Sequence, residues 1–533
     1  MHWKRSKKRL MAEKSIKKNF IFNLIYQLLV LIAPFVVTPY VSRVLGVEGV
    51  GEFSYANSIV AYFLLIAVLG TTTYGQRSIG YVQKDIESRS RTFWEIFLIR
   101  LITSFVTLGA YLLYVFFLAP QTSFIIYLIL ALNIFNVITD ITWFMQGMEE
   151  FGKTATTSII FRILSIVSIF LFVKVKSDLW KYVLLSVSFT VVGNMTLWLF
   201  LPKYLCKVDK IRPFREIKSV LQLFLPTIAV QIYTVVDKSM IGWFSDGYTE
   251  NGYYEQADKI VKMVLMAVTA LGTVMIPRIS LKYKEGDIEQ VRYYLQKSYR
   301  FVWMMATPIM LGLIVVANVF VPIFFGVGYE KCSILIQILS VLSVFIGLSN
   351  VTGMQYFVPT GKQNVLTMTV IVGAVVNVIF NLILIPFFAS IGAAIASIVA
   401  EFCVTLAGFI YVKKTKQYPL KQVLTCSWKY LIAGIVMAGI VFLIKWFIPV
   451  AIWSLIVLIA VGAITYFLVL LILKDALLTE MLSKVFGLLH RKKSTNPDIV
   501  KEEGEIEQVN DNIEADINIE ENINVEEDIN TTE

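Results

Sequence analysis

Histidine is nearly absent from this sequence: of 533 residues only two are histidine, and both, His2 and His490, lie in the terminal segments. A histidine-based metal site or catalytic base within the body of the protein is therefore excluded. Cysteine is scarce as well, and the four cysteines show no CxxC spacing and no reason to pair. We expect neither a metal nor a cofactor.

Charged residues are also few, at 16% of the sequence, whereas 57% of the residues are hydrophobic and the mean hydropathy is +0.70. Long apolar runs recur until near residue 473. Each is about twenty residues long, which is roughly the length that one helical crossing of a hydrocarbon core about 30 Å thick requires. The sequence therefore predicts an all-α protein that crosses a membrane many times.

The net charge of +10 conceals two opposing parts of the chain. From Ser494 onward there are 14 acidic residues and one lysine, so this tail carries −13 and residues 1–493 carry +23. Loops that face anionic lipid explain the basic excess better than nucleic-acid binding does, so we expect membrane lipids and no nucleic acid as partners. The tail is rich in Ile, Asn and Glu, which predicts disorder.

The apolar runs predict about fourteen spanning helices. They lie near residues 20–43, 54–75, 93–117, 122–146, 154–174, 179–201, 219–243, 255–277, 299–324, 332–357, 363–387, 390–411, 428–447 and 451–473. The loops rich in Lys and Arg are 76–92, 202–218, 278–298 and 412–427. The loops between them are neutral or acidic, apart from 174–181. Because basic loops stay in the cytoplasm, this alternation predicts a multi-pass plasma-membrane protein with both termini inside.

The chain also repeats itself. Val50–Arg77 aligns with Asn251–Arg278 at an offset of 201 residues without a gap. The identical pairs are Gly51/Gly252, Ala56/Ala257, Ile59/Ile260, Val60/Val261, Leu64/Leu265, Thr72/Thr273 and Arg77/Arg278. A second match, Gly152-Lys153 with Gly361-Lys362, opens the fifth span of each six-span block. Chance similarity of apolar segments is the alternative, but two parallel six-helix blocks are the plan of a transporter.

This repeat divides the predicted protein into segments. They are a basic cytoplasmic N-terminus (1–19), an N-lobe of six helices (20–201), a cytoplasmic inter-lobe loop (202–218), a C-lobe of six helices (219–411), two further helices (428–473) and the acidic cytoplasmic tail (494–533). The predicted architecture is thus two pseudo-symmetric lobes followed by two C-terminal helices.

Ionisable side chains inside the spans are candidate functional residues, because an ion near mid-bilayer costs at least about 2.5–3.5 kcal/mol. Arg162 and Glu401 lie near the middle of their spans. Cations that face a central cavity would attract an anionic cargo such as a phosphate, and buried acids such as Asp140 could titrate and couple transport to an ion. In the structural alternative, Arg162 and Asp140 neutralise each other.

Other candidates likewise have two interpretations. Arg77 and Arg278, paired by the repeat, can bind cargo or only anchor the cytoplasmic ends of two helices. Lys238 can face a cavity, extend to the surface, or pair with Asp237 or with an acid on a neighbouring helix. A solvated outer face is predicted for three charged residues in one turn, Asp258, Lys259 and Lys262.

Four stretches of sequence carry a family resemblance. They are Thr38–Ala56 (TPYVSRVLGVEGVGEFSYA), Tyr74–Arg77 (YGQR), Val236–Gly242 (VDKSMIG), and Asn377, Asn381 and Ile385-Pro386 followed by Ile391-Gly-Ala-Ala394. Their order and spacing resemble the Wzx-like polysaccharide flippases of the multidrug/oligosaccharidyl-lipid/polysaccharide exporter superfamily, over roughly residues 15–480. The resemblance implies a two-lobe bundle with a cationic central cavity. It also implies a substrate, an oligosaccharide on polyprenyl diphosphate, that moves from the inner to the outer leaflet.

The resemblance, taken with position, gives a candidate site. The predicted cargo-binding cations are Arg77, Lys238, Arg278, Arg43 and Arg162, and the predicted ion-coupling acids are Asp140, Asp237 and Glu401. The predicted mechanism is alternating access, in which no bond is made or broken, so the protein is not expected to be an enzyme. Proteins of polysaccharide assembly are the expected protein partners.

Two rival functions are weighed against this one. A cation-coupled multidrug antiporter of the same superfamily would be expected to carry carboxylates in its cavity, often on the first span. Phe20–Ser42 contains no Asp or Glu, although acids in the C-lobe keep this rival open. A membrane polysaccharide polymerase or ligase would need a substantial external loop, and the longest one predicted here, Ser245–Tyr254, is too short to carry catalytic residues.

Overall fold

The computed structural model describes residues 2–208, 211–415, 423, 425 and 427–491. Within these ranges the chain forms helices and no strand. Twelve helical stretches are long and apolar enough to cross a membrane. The prediction of an all-α, polytopic membrane protein is therefore confirmed, while the count of fourteen spans stays a prediction.

The helices follow one another with short connections. They are α1 (His2–Val68), α2 (Thr71–Tyr81), α3 (Ile86–Phe117), α4 (Phe124–Thr139), α5 (Thr142–Gly147), α6 (Phe151–Phe172), α7 (Leu179–Leu197), α8 (Ile217–Phe244), α9 (Thr249–Lys284), α10 (Ile288–Phe324), α11 (Glu330–Leu339), α12 (Leu342–Asn350), α13 (Gln363–Phe388), α14 (Ser390–Lys414), α15 (Ser427–Phe447), α16 (Ile452–Ile472) and α17 (Ala476–Arg491). A π-helical stretch, Val351–Phe357, continues α12.

One difference from the predicted spans concerns α1. The first predicted span and most of the second lie within α1, which bends at Gly46, and the end of the second span lies in α2. Gly46 has φ 71° and ψ 174°, a conformation that only glycine adopts without strain, so it separates the two spans without a loop. Helix α8 covers the predicted seventh span.

Buried apolar side chains form a separate cluster in each of the two repeats. In the N-lobe range the cluster joins α1, α3, α4, α6 and α7, with Tyr111 and Tyr127 fully buried at its centre. In the C-lobe range it joins α8 to α11, α13 and α14 around Phe325 and Tyr329. Each repeat therefore has a core of its own, while Val47 of α1 also packs against the second cluster and a third cluster joins α2, α3 and α5 to Val220 of α8.

Helices α1 and α9 cross at very short range, and the crossing obeys the internal repeat. A Cβ atom added at Gly51 would lie 1.7 Å from the carbonyl oxygen of Tyr248, and one added at Gly252 would lie 2.0 Å from that of Val47. Val47 and Tyr248 are themselves 201 residues apart, which is the repeat offset. Such reciprocal contacts are what a two-fold axis between repeats produces. We call the end of the lobes that carries this contact the crossing end.

The chain divides into two compact units, Met1–Val469 and Leu470–Glu533. In the second unit, α17 is amphipathic and begins after Asp475, whose carboxylate accepts a hydrogen bond from the backbone N–H of Leu478 at 3.0 Å. This is a normal N-cap. The acidic tail predicted for 494–533 lies outside the described residues.

Candidate functional site

Arg162 lies at the middle of helix α6, about 11 residues or roughly 16 Å from either end. Five exposed apolar side chains of this helix, Ile160, Ile163, Leu164, Val167 and Leu171, form one stripe along it, and a sixth, Phe172, is the last residue of the helix and lies outside the stripe. At 100° per residue, Arg162 points to the opposite face, together with buried Ser165 and Ile169. Arg162 is nevertheless exposed. It therefore lies on the face of α6 opposite to the stripe that these apolar side chains form.

Within the described part of the chain, Arg162 has no acidic partner. The ion pairs there join other residues, and the acid proposed as its structural partner, Asp140, pairs with Arg100. A mid-span arginine that is exposed and not neutralised needs water or a ligand around its guanidinium, because burial without a partner is too costly. This combination of depth, direction and free charge is the property expected of a cargo-binding cation.

Arg77 and Arg278 lie at repeat-related positions near the ends of α2 and α9. Both side chains are exposed and neither pairs with an acid in the described ranges. The Arg77 guanidinium lies 5.9 Å from the centre of the Tyr81 ring, at the long end of the cation–π range. Their positions fit both the cargo-binding and the anchoring interpretations.

Arg43 lies at the crossing end and contacts the other lobe directly. Its guanidinium donates a hydrogen bond of 2.5 Å to the carbonyl oxygen of Ile323 in α10. The side chain remains exposed. Arg43 therefore takes part in holding the lobes together at this end, and its charge is not cancelled there.

Lys238 belongs to a cluster of five charged side chains at the crossing end. Its ammonium nitrogen lies 2.7 Å from a carboxylate oxygen of Glu255 and 3.2 Å from one of Asp258. Lys259 pairs with Glu255 at 3.1 Å, and Lys262 pairs with Asp258 at 2.8 Å. Of the three interpretations for Lys238, the structure shows pairing with acids on a neighbouring helix. Three cations face two carboxylates, so the cluster keeps one net positive charge.

Asp237 points away from this cluster, into the interior of the C-lobe. One of its carboxylate oxygens accepts hydrogen bonds from the side-chain amides of Asn377 at 3.0 Å and Asn381 at 2.6 Å. The other accepts from the hydroxyls of Tyr254 and Ser397, both at 2.6 Å. No lysine or arginine of the described ranges pairs with it. The side chains that meet here come from four helices, α8, α9, α13 and α14.

A cavity of about 400 Å³ adjoins this carboxylate. Its polar lining includes Asp237, Tyr254, Asp258, Lys262, Ser397 and Glu401. The side-chain oxygen of Asn381 is buried and has no hydrogen-bond partner. Two amide N–H groups and two hydroxyls donate to this carboxylate, so a cation or proton that binds to it must displace at least one of these donors. Two of the predicted coupling acids, Asp237 and Glu401, thus share one cavity.

Asp140, the third predicted coupling acid, lies in the other lobe. It occupies the break between α4 and α5, where one oxygen accepts from the backbone N–H and hydroxyl of Thr142 at 2.9 Å and 2.5 Å. The other oxygen pairs with the guanidinium of Arg100 at 3.0 Å, and that side chain is only 2% exposed. Arg100 also donates to the carbonyl oxygen of Val137. These contacts give Asp140 a structural role in ending α4.

A second cavity, of about 470 Å³, is almost wholly apolar. It lies between α1, α9 and α10 and the last two predicted spans, α15 and α16. Its lining includes Phe35, Ile260, Met304, Pro308, Met437 and Tyr466. The two extra helices therefore form one wall of a hydrophobic space beside the C-lobe, which the sequence did not predict.

The sequence did not lead us to predict two groups of residues that take part in these sites. Glu255 was overlooked because it stands at the predicted start of a span, although it lies 201 residues after its hydrogen-bond partner Ser54. The residues around Asp237 were not assigned a role, although Asn377 and Asn381 belong to a stretch that carries the family resemblance. The repeat offset and the spacing of four residues between the asparagines were the available signals.

Comparisons with known proteins show which family this sequence resembles. The family model described as "Polysaccharide biosynthesis protein" matches residues 16–281. The "Putative O-antigen transporter" of Escherichia coli (strain K12) is 24% identical over 411 residues, which is 75% of this chain and 98% of the relative.

Solved structures share the fold. "Lipid II flippase MurJ, inward closed conformation" matches 84% of this chain and 98% of its own, with a TM-score of 0.67 at 18% identity. An inward-facing multidrug resistance MATE family transporter of the MOP superfamily matches 76% of this chain and 99% of its own, with a TM-score of 0.57 at 17% identity. The helical fold of this chain is thus the fold of these flippase and transporter structures.

This chain belongs to the polysaccharide biosynthesis family, and it shares the fold of a transporter of the MOP superfamily. The resemblance found in the sequence is therefore confirmed.

Proposed function

We propose that this protein is a flippase that moves polyprenyl-diphosphate-linked oligosaccharide from the inner to the outer leaflet of the plasma membrane, with both termini in the cytoplasm. The named relatives support this: one is called an O-antigen transporter and another a lipid II flippase. The lobes rock so that the space between them opens alternately to each side, and no bond is made or broken. Proteins of polysaccharide assembly remain the predicted protein partners.

The observation that carries the proposal is the position of Arg162. An uncompensated guanidinium at mid-span, directed away from the exposed apolar stripe of its helix, provides a place for an anion halfway across the bilayer. A diphosphate offers several oxygens that accept charge-assisted hydrogen bonds from arginine. In this proposal, Arg77 and Arg278 meet the diphosphate at the cytoplasmic entrance, and Arg162 meets it in mid-passage.

Lys238 and Arg43 act at the far end of this path. Both lie at the crossing end, where Lys238 is held by Glu255 and Asp258. The cluster keeps a net positive charge and can receive the anion when the lobes separate there. The two carboxylates then release Lys238 to the cargo, and they take it back after the cargo leaves.

The apolar cavity beside α15 and α16 suits the lipid part of the cargo. Its lining is made of aliphatic, methionine and aromatic side chains, with very little polar surface. A polyprenyl chain placed there loses no hydrogen bonds and keeps apolar surface away from water. The glycan can thus pass through the wet space while the hydrocarbon stays in an apolar one.

Asp237 is the best-placed residue for coupling transport to an ion. Its carboxylate is buried, has no basic partner in the described ranges and adjoins a cavity with oxygen ligands. A cation or proton bound there would change the hydrogen bonds between α8, α9, α13 and α14. Glu401 lines the same cavity and serves as a second acid on that route.

Replacing Arg162 by glutamine tests the proposal. The amide keeps most of the size and polarity but removes the charge, so the loss of one charge-assisted hydrogen bond should lower transport about tenfold or more. We expect less surface polysaccharide and accumulated lipid-linked glycan in cells that carry only this variant, with an unchanged amount of folded protein in the membrane. Both quantities are measured in extracts from equal numbers of cells.

A matched control is Arg91→Gln. Arg91 pairs with Glu87 on the same helix, and both side chains are well exposed, at 41% and 66%. Such a pair contributes little, so export should match the wild type. Normal export by Arg162→Gln would remove the mid-span cation from the proposed path.

A further inference from the structure

Glu255 is the one acidic residue in the charged cluster that also contacts the N-lobe. One carboxylate oxygen accepts a hydrogen bond from the hydroxyl of Ser54 in α1 at 2.8 Å and pairs with Lys238 of α8 at 2.7 Å. The other pairs with Lys259 at 3.1 Å. The side chain is only 11% exposed. A single carboxylate therefore joins a helix of the N-lobe to two helices of the C-lobe.

The contacts around Glu255 are polar as well. The side-chain amide of Gln256 donates to the hydroxyl of Ser42 at 2.9 Å. The hydroxyls of Tyr62 and Ser239 lie 2.6 Å apart. Each of these pairs links α1 to a helix of the C-lobe. Polar contacts of this kind can separate and exchange for water or cargo at small cost, unlike a packed apolar seam, so the crossing end is suited to repeated opening.

The Asp237 cavity and this interface are adjacent through two pairs of neighbouring residues. On α8, Asp237 is followed by Lys238; on α9, Tyr254 is followed by Glu255. Tyr254 donates to Asp237 at 2.6 Å on the cavity side, and Lys238 pairs with Glu255 at 2.7 Å on the interface side. A shift between α8 and α9 therefore alters both bonds together.

We infer that Glu255 is a lock that holds the two lobes together at the crossing end, and that the Tyr254–Asp237 hydrogen bond sets the strength of this lock. When the Asp237 carboxylate is taken by a coupling ion, the Tyr254 hydroxyl is displaced and α9 is free to move against α8. The lock then weakens and the lobes separate at this end. This inference rests on the proposed function, because it takes Asp237 as the coupling residue.

The test measures the distance between spin labels on cysteines placed at Thr122 and Val327, in a background without the native cysteines. Both positions are exposed, one in each lobe, and each lies close in sequence to residues that contact the other lobe at the crossing end, Ser123 and Tyr329. Glu255→Gln should raise the ratio of long to short distances about tenfold, because hydrogen bonds to a charged group are lost. Ser54→Ala removes only the bond between lobes and should shift the ratio in the same direction.

Tyr254→Phe tests the second part, since it removes one hydroxyl and no charge. It should also lengthen the distances, and the double variant with Glu255→Gln should shift them no further than Glu255→Gln alone, because both act on one lock. The control is Glu285→Gln at the opposite end of α9, where this exposed carboxylate pairs with half-buried Lys282. It should leave the distances unchanged.

Two results would overturn the inference. If Glu255→Gln and Ser54→Ala both keep the wild-type distances, Glu255 is not a lock. If Tyr254→Phe leaves the distances unchanged, or if its shift adds in full to that of Glu255→Gln, the Tyr254–Asp237 hydrogen bond does not set the strength of the lock. Glycan export by the labelled protein with its native residues at 54, 254 and 255 is measured separately, so loss of the lock and loss of the flippase function are told apart.

Discussion

We expect Gly252→Ala to prevent the lobes from closing at the crossing end. A Cβ atom at this position would lie 2.0 Å from the carbonyl oxygen of Val47, and one at Gly51 would lie 1.7 Å from that of Tyr248. Backbone cannot yield as a flexible side chain does, so α1 and α9 must move apart. We expect Gly51→Ala and Gly252→Ala to have similar effects, because the two positions are related by the repeat.

The measurement is the same pair of spin labels together with glycan export. Overpacking of this kind costs about 1–3 kcal/mol, which corresponds to roughly a 5- to 150-fold shift from short to long distances. Export should fall with it, since a transporter that stays open at one end cannot complete its cycle. The control is Gly109→Ala in α3, where an added Cβ meets no atom within 4 Å. Wild-type distances in Gly252→Ala would show that the crossing is not a close contact.

The second large effect is expected for Asp237→Asn. The Asp237 carboxylate accepts four hydrogen bonds, and the single amide oxygen of asparagine can accept only some of them. The substitution also removes the negative charge that a coupling ion needs. We expect export to fall to background and to lose its dependence on the ion gradient. The measurement compares export with and without ionophores that dissipate sodium or proton gradients, normalised to folded protein.

The control for Asp237 is Asp246→Asn, the same substitution at an exposed position in the loop between α8 and α9. It should retain both export and its response to ionophores. Glu401→Gln should have a smaller effect than Asp237→Asn if Glu401 only assists ion entry. An Asp237→Asn variant that exports glycan normally and still responds to ionophores would place the coupling ion elsewhere.

The helices could be predicted from the sequence because the membrane fixes their length. A run of about twenty apolar residues identifies a spanning helix without knowledge of its neighbours. Counting residues along the predicted span also gave the depth of Arg162 in the membrane. The structure shows that the Arg162 side chain is directed away from the exposed apolar stripe of α6. Helix α1 was harder, because glycine at position 46 bends the chain where two separate spans were expected.

The partners of the charged residues could not be predicted in the same way. Asp140 pairs with Arg100, not with Arg162, because α3 packs beside α4; charge alone could not choose between two arginines. Asp237 finds its hydrogen-bond donors as far as 160 residues away. Asp258 was expected on a solvated face, yet it is buried between two lysines. Such pairings depend on helix packing, which leaves little trace in one sequence.

The most direct test of the central claim uses the purified protein in vesicles. Two fluorescent lipids with the same polyprenyl chain and the same oligosaccharide are compared, one joined through a diphosphate and the other through an uncharged link. We expect the wild type to translocate the diphosphate lipid much faster, and Arg162→Gln to remove this difference. Equal rates for the two lipids, or a preference that survives the loss of the Arg162 charge, would contradict this expectation.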